Sequence, residues 1–122
     1  MTSLMPGTLM LVAFNLVCTG TETSRNGSAR SANSVHFRDV YRVDVRDYRW
    51  CRGECAVTRD LTEVTATTIT FEVRRDGARN AYASVNRETG TFSRSEQIGD
   101  TTTVQIGRCE RVAFTGFPSR RF

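Results

Sequence analysis

Downstream of residue 35 the apolar residues fall on every second position in short runs, punctuated by Gly, Asp and Asn. Tyr41, Val43 and Val45 alternate with Arg42, Asp44 and Arg46, which gives a half-buried strand one apolar face. Tyr48 and Trp50 continue in the opposite parity, so a turn or bulge is expected near Arg46 and Asp47. Glu63 to Arg75 holds the clearest strand, with Ile69, Phe71 and Val73 in strict alternation and the turn pair Asp76-Gly77 after it. Ala81 to Asn86, Thr91 to Ile98 and Thr101 to Ile106 follow, separated by Glu88-Thr89-Gly90 and Gly99-Asp100, and Val112 and Phe114 extend the pattern. No helical period lies between these turns. The prediction is an all-β domain, a single small antiparallel meander of about six strands, closed as a small barrel or stacked as a sandwich. The expected core is Tyr41, Val43, Val45, Trp50, Val64, Ile69, Phe71, Val73, Val85, Phe92, Val104, Ile106 and Phe114. Residues 43–50 also align without gaps on residues 85–92, each reading as strand, polar turn and aromatic strand.

The N-terminal part has a different texture. Thr8 to Cys18, TLMLVAFNLVC, is an apolar run with the length of a signal-peptide core and well short of the roughly 20 residues that span a bilayer. Thr19 to Ser34 is rich in small polar residues that bury little apolar area. The domain reading is therefore a leader over 1–18, a flexible polar linker over 19–34 and a β-rich domain over 35–122. An apolar run ending in cysteine resembles a bacterial lipoprotein leader, which makes Cys18 a lipidation candidate. The chain departs from that pattern, with no basic residue before Arg25 and with Asn15 and Val17 in the cleavage box. The competing reading is a short ordered helix packed on the domain. Asn26-Gly27-Ser28 has the form of a glycosylation sequon and is taken as linker composition.

At 122 residues the chain holds one domain and excludes a large enzyme. All 17 basic residues are arginine, a skew that a G+C-rich coding sequence produces and that points to a bacterial source. The net charge is +4, and its excess sits in Arg108, Arg111, Arg120 and Arg121, a candidate basic contact surface. A nucleic-acid site would need a denser basic stripe interleaved with aromatics, so nucleic acid is not expected as a partner.

Cysteines stand at 18, 51, 55 and 109. With Cys18 in the leader, Cys51, Cys55 and Cys109 are the disulfide candidates of the domain. The spacing Cys51-x-x-x-Cys55 is not that of a thioredoxin-like redox pair. Parity places Cys51 and Cys109 outward on neighbouring strands and favours that pair, with Cys51–Cys55 the alternative. A zinc site would have to recruit His36, the one histidine, as fourth ligand. Neither a metal nor a cofactor is expected. His36 alone supplies no triad, no nucleotide-binding or hydrolase motif occurs, and the carboxylates alternate with arginines as on solvated strand faces. The chain is not expected to be an enzyme.

Trp50-Cys51-x-Gly53-x-Cys55, Val85-Asn86-Arg87-Glu88-Thr89-Gly90, Gly107-Arg108-Cys109-Glu110 and Phe114-Thr115-Gly116-Phe117-Pro118 together resemble short exported, lipoprotein-like β-domain proteins of G+C-rich bacteria. The resemblance covers about residues 40 to 118 and carries no activity to transfer. The expected function is a non-enzymatic, monomeric exported domain, periplasmic or membrane-tethered, that binds another component of the cell envelope and meets the membrane only through a leader or lipid anchor. Two alternatives are a small β-barrel that binds an apolar or anionic small ligand, and an inhibitor of an envelope enzyme.

Overall fold

The computed structural model describes residues 12–27 and 32–118. Among them nine strands form one antiparallel sheet curled into a half-barrel. They are β1 (Ala13–Asn26), β2 (Asn33–Asp44), β3 (Arg49–Arg52), β4 (Arg59–Asp60), β5 (Glu63–Val64), β6 (Thr68–Asp76), β7 (Arg79–Asn86), β8 (Thr91–Ile98) and β9 (Thr101–Val112). The all-β, antiparallel expectation holds. The count exceeds six because residues 13–44 contribute two long strands and residues 59–64 contribute two short ones.

The strand order β4-β3-β2-β1-β9-β8-β7-β6-β5 places the first and last strands side by side at the centre. Residues 59–64 are nearly one extended run that changes partner: Leu61 N donates to Tyr48 O at 2.8 Å and Thr62 N to Thr70 O at 2.9 Å. This run joins the two edges of the sheet at one end. At the other end β3 covers only Tyr41–Asp44 of β2, and β5 covers only Ile69 and Thr70 of β6. Among the described residues no strand therefore pairs with the outer sides of Asn33–Asp39 and Glu72–Asp76, and a slot parts the edges there.

Residues 19–26, expected as linker, are the second half of β1 and pair with β2 on one side and β9 on the other. Residues 13–18, expected as the end of a leader, are its first half; residues 1–11 lie outside the described residues, as does Ser28 of the sequon. Thr, Ser and Gly there mislead as loop composition, whereas threonine suits a strand hydrogen-bonded on both sides. Cys18 faces Cys109 across the β1–β9 ladder and is disulfide-bonded to it, so its sulfur is unavailable for a lipid in this fold. The second bridge is Cys51–Cys55. The favoured Cys51–Cys109 pair is corrected on simple geometry. β2 and β1 stand between β3 and β9, a span of roughly 14 Å at ordinary strand spacing, twice the reach of a disulfide. Two residues from Cys18, Gly20 faces Gly107 in the same ladder. A Cβ on Gly20 would lie 2.6 Å from Gly107 Cα, so the two strands approach in a way that only a glycine pair allows.

Aromatic rings fill one half of the interior. Tyr41, fully buried, lies 4.8 Å from Phe71, 5.5 Å from Phe92 and 5.7 Å from Trp50 between ring centroids. Phe14, Leu16, Cys18, Phe37, Val43, Leu61, Ile69, Ala83 and Val85 complete the cluster. On β9 the expected parity is inverted. Gln105 is buried while Ile106 is 54% exposed, because the inward row of β9 is set by Cys109 and not by its β-branched residues. Val73 is likewise exposed, the chain having passed a bulge between Thr70 and Glu72. The two aligned segments fall on the β2–β3 and β7–β8 hairpins and share their turn chemistry. Asp44 Oδ1 accepts from Asp47 N and Asn86 Oδ1 from Thr89 N, both at 3.0 Å. Tyr48 and Gly90, at matching positions, both have positive φ, 60° and 81°.

The 91-residue separation of Cys18 and Cys109 makes their bridge worth about 4 to 5 kcal/mol by loop-closure entropy, against about 2 kcal/mol for Cys51–Cys55. Cys18→Ala/Cys109→Ala should accordingly lower the unfolding free energy by more than Cys51→Ala/Cys55→Ala in urea titrations. Gly107→Ala should cost about 3 kcal/mol or more through backbone overlap, with the disulfides intact in a non-reducing peptide map.

Candidate anion-binding site

Strand alternation brings a second kind of side chain to the interior. Past the aromatic rings, toward the slot, the inward rows continue with Glu22 on β1, Asp39 on β2, Arg52 on β3, Arg94 and Glu96 on β8 and Gln105 on β9. Arg94 follows Phe92 by two residues and so shares its face. It is only 8% exposed, and its ion-pair partner among the described residues is Glu96, at 3.3 Å. Arg79 of β7 holds the other oxygen of the same carboxylate at 2.9 Å. Across the interior Gln105 Nε2 donates to Glu22 Oε1 at 2.8 Å and to Asp39 Oδ2 at 3.3 Å, while Gln105 Oε1 has no partner.

Arg52, Arg79 and Arg94 of this set line a cleft of about 200 Å³ that opens through the slot, together with Trp50, Arg59 and Glu72, and with Ala56 and Val57 of the β3–β4 loop over it. Four guanidinium groups line it against one lining carboxylate, Glu72, and the Glu96 carboxylate that Arg79 and Arg94 share, which leaves the cleft net positive. Trp50 is fixed by Nε1 donating to Asp60 O at 3.2 Å. Behind it the Tyr41 hydroxyl is buried without a hydrogen bond of good geometry. Burial pushes the Tyr41 pKa above its ordinary value, outweighing the attraction of Arg52 for the phenolate. Burial by itself would ease deprotonation of Arg52, but Tyr41, Asp39 and Glu72 more than compensate and hold it charged. Burial alone would also raise the Glu96 carboxyl, and Arg94 and Arg79 outweigh it, holding the group below the usual carboxylate range.

Larger hollows exist. One of about 690 Å³ lies against Arg49, Thr58, Phe117 and Pro118. Another, of about 480 Å³, lies at the joined end against Phe14, Leu16, Arg87 and Arg111. Neither gathers more than two arginines. Convergence of charge, not size, singles out the smaller cleft.

The residues singled out in the sequence are dispersed. Arg108 and Arg111, three apart on β9, stand on opposite faces; Arg108 Nη1 donates to Thr89 O at 3.1 Å, and the Arg111 guanidinium lies 5.7 Å from the centre of the Phe14 ring. They form no common surface, and Arg120 and Arg121 lie outside the described residues. His36 is exposed on β2, with Nδ1 3.3 Å from Gly20 O. No group of metal-ligating side chains occurs among the described residues. The cleft arginines Arg52, Arg59, Arg79 and Arg94 lie outside the sequence-based candidates, although Arg52 and Arg94 carry a signal, each standing two residues beyond a buried aromatic.

Two disulfides in a chain of this size fit an oxidising environment, and no helix of the described residues is long and apolar enough to cross a membrane. The Glu96 shift has a consequence for stability. A carboxyl whose pKa is lower folded than unfolded stabilises the fold above its unfolded pKa, about 4.3. That contribution disappears as the pH falls through the folded value. Urea midpoints measured from pH 6 down to pH 3 should therefore fall less steeply for Glu96→Gln than for the unmodified protein. Comparison of the chain with family models, curated proteins and solved structures returned no match.

Proposed function

We propose that this protein is a non-enzymatic, exported β domain, periplasmic or membrane-tethered, whose slot binds a small anionic group, a carboxylate, phosphate or sulfate. The observation that carries this reading is the convergence of Arg52, Arg59, Arg79 and Arg94 on one cleft beside Trp50. Planar guanidinium groups bind such oxyanions through paired charge-assisted hydrogen bonds. A nearly buried arginine with a single carboxylate partner also retains N–H donors for a further acceptor. Of the two ligand chemistries expected of a small barrel, the arginine cleft supports the anionic one. Binding in place of catalysis fits a cleft whose ionisable groups are mostly fixed cations.

The chain has one tryptophan, and it lines the cleft, so its fluorescence reports occupancy. Titration with inorganic phosphate, sulfate and acetate at low ionic strength should give a saturable change that weakens with added salt. Arg79→Gln, at the exposed rim, should weaken phosphate binding about tenfold, the equivalent of one charge-assisted hydrogen bond. A flat fluorescence trace with no calorimetric heat at tens of millimolar phosphate would remove the site.

A further inference from the structure

We propose that the slot is a docking edge for an extended acidic segment of a partner protein, which adds to β2 along Ser34–Arg38 and lays acidic side chains among Arg52, Arg79 and Arg94. The proposal rests on the reading of the cleft as an anion site and names its ligand. Val40 O accepts from Gly53 N at 2.9 Å on the side of β2 that faces β3. Successive residues of an antiparallel strand direct their amides to opposite sides, and the β1–β2 register is unbroken from Ala13↔Asp44 to Ser24↔Asn33. Ser34, His36 and Arg38 therefore turn their N–H and C=O groups to the same side as Val40, where no strand of the described residues pairs with them.

The edge is open because β3 leaves it. After Arg52 the chain turns away at Gly53, with φ of 63°, and the Cys51–Cys55 bridge spans that turn. A strand arriving antiparallel to β2 takes up the line that β3 abandons, and main-chain hydrogen bonds supply its affinity. Charge then selects its sequence. Its inward side chains would face the arginines and the exposed Val35, which stands on the same face as buried Phe37. The one acid on that face of β2, Asp39, is already hydrogen-bonded by Gln105. An acid at alternate positions thus meets the positive charge that Arg52, Arg59, Arg79 and Arg94 carry in excess of Glu72 and Glu96.

Three capped peptides test this: Thr-Asp-Thr-Asp-Thr-Asp-Thr, its all-Asn counterpart, and the Asp peptide N-methylated at the amides that would face β2. Amide exchange at Ser34, His36 and Arg38 is read by NMR, and displacement of inorganic phosphate by Trp50 fluorescence. The Asp peptide should slow exchange at all three amides by about tenfold or more and displace phosphate. The N-methylated peptide should bind about tenfold more weakly, and the Asn peptide should leave phosphate in place. Phosphate displacement without slowed exchange, or undiminished binding of the N-methylated peptide, overturns the docking edge while the anion site stands. Slowed exchange without displacement overturns the link between edge and cleft. Protection that grows with protein concentration and no peptide gives the edge to a second copy of the chain and overturns the proposal. Failure of phosphate to bind at all removes the anion site itself.

Discussion

The fold depends on the contact between its first and last long strands. β1 to β4 form one run of sequential neighbours and β5 to β9 another, and only the β1–β9 ladder joins them within the sheet. Every other pairing follows a local turn or short crossing, whereas Asn15↔Val112 brings together residues from opposite ends of the domain. Such a contact carries the largest chain-closure cost in the molecule, and it is here that Cys18–Cys109 and the Gly20–Gly107 pair are placed. The glycines let the backbones approach and the disulfide restricts the unfolded chain. The aromatic cluster shares this dependence, since Tyr41 and Trp50 come from the first run and Phe71 and Phe92 from the second. Their rings meet only when β1 and β9 are in register.

The same curl divides the interior into two chemistries. Toward the end where residues 59–64 join the edges, inward side chains are apolar. Toward the slot Glu22, Asp39, Arg94, Glu96 and Gln105 enter the inward rows, with Phe37 an apolar member beside them. A buried guanidinium is tolerated only with a counter-charge and access to water or a ligand, and Arg94 has both, through Glu96 and the open slot. Closing the slot with apolar residues would strand these charges. The opening and the polar interior are thus one physical arrangement, and the short reach of β3 along β2 sets where it lies.

Where pairing is local, the sequence is legible. The alternation through Tyr41 and Val43, the turn before Trp50, the Ile69 and Phe71 strand and the Glu88–Gly90 hairpin all follow from neighbouring residues. Burial of Tyr41, Val43, Trp50, Ile69, Phe71, Val85 and Phe92 follows from the same alternation. What was misread depends on distant partners. β1 looks like leader and linker because its small polar residues acquire their role only between β2 and β9. The parity of β9 is fixed by Cys109 opposite Cys18, and no local pattern shows it. The arginine cleft was legible in part. An arginine in step with a buried aromatic, as Arg94 is with Phe92 and Arg52 with Trp50, must point where the ring points, but Arg79 joins them only through the strand order.

An open sheet edge invites unwanted pairing, and the described residues leave two, on β2 and on β6. Five successive antiparallel pairings separate them, so β2 and β6 run in opposite directions. A single added strand can be antiparallel to only one of them, and the antiparallel ladder is the more stable. One strand in the slot would therefore pair antiparallel with one edge and in the weaker parallel manner with the other, which favours a one-sided ligand over closure of the barrel. The open runs carry equal formal charge, Arg74 and Arg75 offsetting Glu72 and Asp76 on β6 and Arg38 offsetting Asp39 on β2. The difference lies at the cleft, where β6 presents Glu72, which repels an acidic segment, whereas the inward acid of β2, Asp39, is engaged by Gln105. Strand direction limits such a segment to one antiparallel edge, and Glu72 at the cleft favours β2 for an acidic one.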